Sequence, residues 1–90
     1  MTTTIPDIVV QSTSYTDVYS SSGVSVGTSV ILQNKGSLSI FLQTGETIPS
    51  ASSEEGVILS SLEMFIVDEG EAGLFARSFF GSCKLSIQPV

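Results

Sequence analysis

Any chemistry in this chain has to be assembled from hydroxyls, nine carboxylates, one thiol and three isolated cations, because its ninety residues include no histidine. Serine and threonine are abundant, but a hydroxyl becomes a nucleophile only beside a base. Lys35 and Lys84 are the only lysines, and no spacing couples either to a particular serine. The carboxylates Glu46, Glu54, Glu55 and Glu63 and the group Asp68, Glu69 and Glu71 could in principle pair for acid–base work on a glycosidic bond. The last group is the densest and offers the oxygen ligands that calcium takes, but it does not follow the EF-hand loop pattern. Acids at a turn are ordinarily solvated, and they discourage strand edges from pairing. Cys83 falls in phase with Leu85 and Ile87, which places it in a core as a small apolar residue; one cysteine forms no internal disulfide. The reading is of a protein that is not an enzyme and holds no cofactor and no metal.

The elements that would carry these groups read as strands. Val30–Leu32, Leu38–Leu42, Val57–Leu59, Leu62–Val67, Ala72–Ala76 and Cys83–Ile87 are short apolar runs punctuated by Gly36, Gly45, Pro49, Gly56, Gly70 and Gly81. Leu38, Ile40 and Leu42 alternate with Ser37, Ser39 and Phe41, the period of a half-buried strand. No window keeps a helical stripe for three turns. Asn34–Gly36, Glu69–Gly73 and Phe79–Ser82 read as hairpin connections, the first with Gly36 supplying a positive φ. The fold class expected is all-β, a small antiparallel β-sandwich or jelly-roll-like barrel of six to eight short strands.

Composition divides the chain into a Ser/Thr-rich N-terminal arm over residues 1–27 and a sandwich domain over 28–90. The arm holds strand candidates at Ile8–Val10 and around Val18 and Tyr19 but too little apolar surface to fold alone. It reads as an arm that packs onto the sandwich domain or onto another molecule. It is expected to be extended and to dock by strand addition on a neighbouring subunit or larger assembly, so that deleting residues 2–12 leaves the sandwich folded. Tyr15 and Tyr19, aromatics in polar sequence, are candidate interface anchors or pack against the chain's own sheet. Phe41, Phe65 and Phe75 lie beside apolar neighbours, so both strand faces are apolar there and one needs a cover, either a neighbouring subunit or the arm. The candidate interface residues are therefore Ile8, Val9, Val10, Tyr15, Tyr19, Phe41, Phe65 and Phe75.

A net charge of −6 with Lys35, Arg77 and Lys84 standing apart argues against nucleic acid as a partner. The longest apolar run, Met64–Val67, falls far short of the ~20 residues of a membrane helix. Residues 1–7 show neither the basic nor the apolar stretch of a signal peptide, which points to synthesis in a cytoplasm.

In order along the chain come GVSVGT at Gly23–Thr28, ILQNKG at Ile31–Gly36, Pro49 in a Ser-rich stretch, Glu55–Gly56, LFARS at Leu74–Ser78 and KLSIQ at Lys84–Gln88. This order resembles a group of small β-rich accessory proteins of tailed-phage virions, over residues 15–88. The resemblance implies a structural protein of the virion: a capsid decoration (cement) protein bound to the major capsid protein, or a head-fibre base or tail component. It carries over no catalytic residue. A homotrimer is the expected state where three shell subunits meet. The expectation from another class is a carbohydrate-binding β-sandwich, with Tyr15 or Phe79 stacking on a sugar.

Overall fold

The computed structural model describes residues 4–90, which form eight strands and one short helix. In chain order these are β1 (Ile8–Val10), β2 (Thr16–Asp17), α1 (Val18–Ser22), β3 (Val30–Asn34), β4 (Ile40–Thr44), β5 (Val57–Leu59), β6 (Met64–Val67), β7 (Leu74–Ser78) and β8 (Cys83–Pro89). They pair, antiparallel throughout, into two four-stranded sheets of order β1-β8-β3-β6 and β2-β7-β4-β5. The fold is an all-β sandwich, and this strand order is that of a jelly roll, two interleaved Greek keys.

Alternation builds the core as the sequence implies. Along β3 and β8 every second residue is buried, so Val30, Leu32, Leu85 and Ile87 meet Ile40, Leu42 and Leu74 from the facing sheet. Cys83 is buried among them and its thiol donates to Asn34 Oδ1 at 3.2 Å.

The connections differ from expectation. Only β4 and β5 are consecutive strands that pair; the segments read as hairpins at Asn34–Gly36, Glu69–Gly73 and Phe79–Ser82 each carry the chain from one sheet to the other. Gly36 does not take a positive φ. It is glycine because a Cβ there would collide with Cys83 Sγ. Beside it, buried Asn34 holds the crossing together: its Nδ2 donates to the carbonyls of Leu38 at 2.6 Å and Leu59 at 2.9 Å, and its Oδ1 accepts from the Gly36 amide. The strand expected around Val18 and Tyr19 is instead a five-residue helix. Asp17 caps it by accepting from the Ser20 amide, and Gly23 ends it at φ 80°, so the two caps override weak helix formers.

The division at residue 27 is not a structural boundary among the described residues. Ile8–Val10 pairs with Cys83–Leu85 of the same chain, and Thr16–Asp17 pairs with Phe75–Ala76. The strand addition expected of this segment takes place within the chain. Ile8 and Val10 are buried in the common core, so the segment supplies the apolar surface that its own polar sequence lacks for independent folding. Residues 1–3 of the arm lie outside the described residues.

Candidate functional site

Both sheets end on the same side of the sandwich in strands paired on one side only, β6 in one sheet and β5 in the other. An unpaired strand leaves a row of amide and carbonyl groups open to another chain, and proteins ordinarily blunt such edges with charge, proline or a covering loop. Here the edge carries apolar side chains instead. Val57, Ile58, Leu62, Met64 and Ile66 are all exposed, Ile66 by 59% and Leu62 by 67%. Ile31, half-buried, stands directly beside Ile66 on the outer face.

Two features show how this edge is presented. Leu62 sits at φ 66°, a left-handed conformation that costs a leucine about 1–2 kcal/mol. It is held there by its amide donating to the Asn34 carbonyl at 2.6 Å and by its own carbonyl accepting from Gln33 Nε2 at 3.1 Å. Phe65 points inward yet is only half-buried, because nothing among the described residues closes the gap between the β5 and β6 edges. It lines a cleft of about 320 Å³ with Leu42, Val57 and Leu74, and an adjoining one of about 180 Å³ with Thr44 and Val67. Carboxylates rim both: Glu55 the first, Asp68 and Glu71 the second.

The residues singled out from sequence are distributed differently from expectation. Tyr15 and Tyr19 are not surface anchors; they are 3% and 1% exposed. Tyr19 joins the main core and its hydroxyl donates to the Thr28 carbonyl at 2.9 Å. Burial, with a smaller contribution from the Glu71 charge, holds that hydroxyl's pKa above its ordinary value. Tyr15 donates to the Ser53 carbonyl at 2.6 Å and accepts from Gln43 Nε2 at 3.0 Å.

Phe41 and Phe75 are buried with Tyr15 in a second cluster on the outer face of the β2-β7-β4-β5 sheet, with Phe79 stacked on Phe41 at 4.5 Å. The cover for that face comes from the chain itself, both from the N-terminal segment through Tyr15 and from the loop between β4 and β5 through Ser53. Arg77 completes the join. Its guanidinium lies 4.7 Å from the Phe41 ring centre and 5.5 Å from that of Tyr15, and Nη2 donates to the Ser53 carbonyl at 3.3 Å. Of the N-terminal triplet, Ile8 and Val10 point inward and only Val9 faces solvent. Phe65 alone of the eight candidates reaches the open edge.

Reasoning from sequence missed Ile58, Leu62, Met64 and Ile66. The signal was available: Met64–Val67 is apolar on both faces, and residues 46–76 hold seven carboxylates and no lysine or arginine. As for chemistry, no three His, Cys, Asp or Glu side chains group to hold a metal among the described residues. No known protein family, curated protein or solved structure matches the chain.

Proposed function

We propose that this chain is a structural protein that attaches to a larger protein assembly, and in particular a decoration protein on the head of a tailed-phage virion, bound to the major capsid protein. The observation that carries the reading is the apolar, unblunted edge of β5 and β6, a surface suited to a protein partner. The ordered signatures from Gly23 to Gln88 support the virion as the setting. The jelly roll supports it by analogy only, since this fold serves in viral capsid domains and equally in lectins and cupins. A homotrimer belongs to the same proposal on grounds of shell symmetry. Of the two-faced strand positions at Phe41, Phe65 and Phe75 that call for a cover, Phe41 and Phe75 are covered by their own chain and Phe65 is not.

Of the two aromatics offered for the sugar-binding alternative, Tyr15 is buried, while Phe79 is half-buried with one ring face stacked on Phe41. The test is electron microscopy of the source particle. Copies repeated across the shell are expected. Density confined to one vertex would move the protein to a fibre or tail, and particles lacking the chain altogether would overturn the virion reading.

A further inference from the structure

The groove along β6 is apolar at its floor, acidic at its rim and open along the strand. Phe65, Leu42, Val57 and Leu74 make the floor, and Glu55, Asp68 and Glu71 the rim. Among the described residues no cation answers these acids. Lys35 is paired to Asp7 at 2.8 Å, Arg77 is buried on the far side of the opposite sheet, and Lys84 lies on β8. We propose that the groove receives an extended segment of another protein, apolar at alternate positions and flanked by lysine or arginine, which adds to the sheet as a strand beside β6. This deepens the docking reading above by naming the chemistry of the partner.

Strand geometry and charge lead to that occupant. A strand laid beside β6 satisfies main-chain groups that β3 leaves unpaired, and main-chain bonds of this kind give affinity with little sequence demand. Successive side chains of an added strand point to opposite faces. One set would enter the groove against Phe65 and Val57, filling the gap between the two sheets, while the other would cover Met64 and Ile66. Charge then selects among apolar strands. The rim attracts flanking cations, and it repels a second copy of this chain, which would bring the same carboxylates against themselves at an edge where residues 46–76 supply seven acids and no base. Leu62, held exposed at a strained φ at the start of β6, extends the apolar contact at that end.

The test uses the full chain and a labelled soluble peptide alternating valine and threonine, made in two forms, one ending in lysines and one ending in glutamates. Fluorescence anisotropy should show saturable binding of the lysine-ended form and at least about tenfold weaker binding of the other, the equivalent of about 1.4 kcal/mol. Ile66→Lys and Glu55→Lys, both at exposed positions, should each weaken binding by about fivefold, since an exposed charge contact contributes up to about 1 kcal/mol. Hydrogen exchange should slow at Met64–Val67 and not at Ile8–Val10 when the lysine-ended peptide is present.

Lack of saturable binding, equal binding of both forms, indifference to both substitutions, or protection at β1 in place of β6 would overturn the inference. So would β6 amides that become protected as the chain alone is concentrated, because a second copy would then fill the groove. The particle experiment does not involve the peptide. A chain found on particles that ignores the peptide keeps its docking role and loses this account of it, whereas a chain absent from particles that binds the peptide does the reverse.

Discussion

The two lateral edges of this sandwich are both made of very short strands, yet the chain finishes one and leaves the other bare. At the N-terminal edge β1 and β2 cap the two sheets, and α1 packs against them with Val18 and Tyr19 in the core. Pro6 has no amide to donate, and the gap is taken up by Gln88, whose side-chain amide donates to the Ile5 carbonyl at 2.9 Å and accepts from the Ile5 amide at 3.0 Å. The Gln11 carbonyl accepts from Ser78, and Asp7 reaches Lys35. At the β5–β6 edge there is no proline, no lysine and no covering helix; exposed apolar side chains and a strained leucine stand there inside a rim of carboxylates. Closing an edge serves the fold; leaving an apolar edge bare at the expense of solubility serves a partner.

The largest effect should come from removing the closed edge. Deleting residues 2–12 takes away β1 with buried Ile8 and Val10, each contributing about 1.5–3 kcal/mol of side-chain burial. A small domain holds only about 5 kcal/mol in all. The truncated chain should therefore lose its cooperative thermal transition by circular dichroism. A chain that melts as before would make the N-terminal segment a removable arm and dissolve the contrast between the edges.

Asn34 sharpens the comparison from the other side, because it ties the bare edge to the body beyond the β4–β5 and β3–β6 ladders. Its Nδ2 bridges from β3 to the Leu59 carbonyl on β5. Asn34→Ala leaves the buried carbonyl of Leu59 and the part-buried carbonyl of Leu38 without that donor and should cost about 2–4 kcal/mol in urea denaturation, about 1–3 kcal/mol for Leu59 and less for Leu38. A loss below about 0.5 kcal/mol would show that β5 is held by its ladder with β4 and by packing, without help from Asn34.

Tyr19 should give a smaller, pH-dependent effect at the closed edge. Tyr19→Phe removes the bond to the Thr28 carbonyl and should cost about 1 kcal/mol near neutrality. Because burial first, and Glu71 second, raise the folded-state pKa, the folded chain binds the proton more tightly than the unfolded chain. Stability from this group is complete below the ordinary tyrosine pKa of about 10 and falls as pH rises through the folded value. The wild-type chain should lose stability in that alkaline range more steeply than Tyr19→Phe. Parallel pH profiles would mean that Tyr19 is not buried as described.

The strands themselves were legible as short apolar runs between glycines and prolines, and β8 adds a period of two over Cys83, Leu85 and Ile87 that no helix would produce. The topology was not, because a turn such as Phe79–Ser82 that crosses between sheets has the same length and glycine content as one that closes a hairpin. Tyr15 and Tyr19 looked like surface anchors because their partners are main-chain carbonyls of Ser53 and Thr28, which no side-chain pattern announces. The need to cover Phe41 and Phe75 was readable. Their cover was not, since it comes from a serine-rich loop pinned at Ser53 by Tyr15 and Arg77. At the bare edge, the apolar run Met64–Val67 was visible, but which of its side chains faces out depends on its register with β3.

The contrast between the edges is tested most directly by one matched pair in equilibrium denaturation, Ile8→Lys against Ile66→Lys. The residue type and the change are identical; only the edge differs, with Ile8 7% and Ile66 59% exposed. Ile8→Lys should destabilise by about 3–5 kcal/mol or prevent folding, as an uncompensated charge in a packed site does. Ile66→Lys should stay within about 0.5 kcal/mol of the parent. Equal losses at the two positions would contradict the account, because both edges would then belong to the core and neither would be free for a partner.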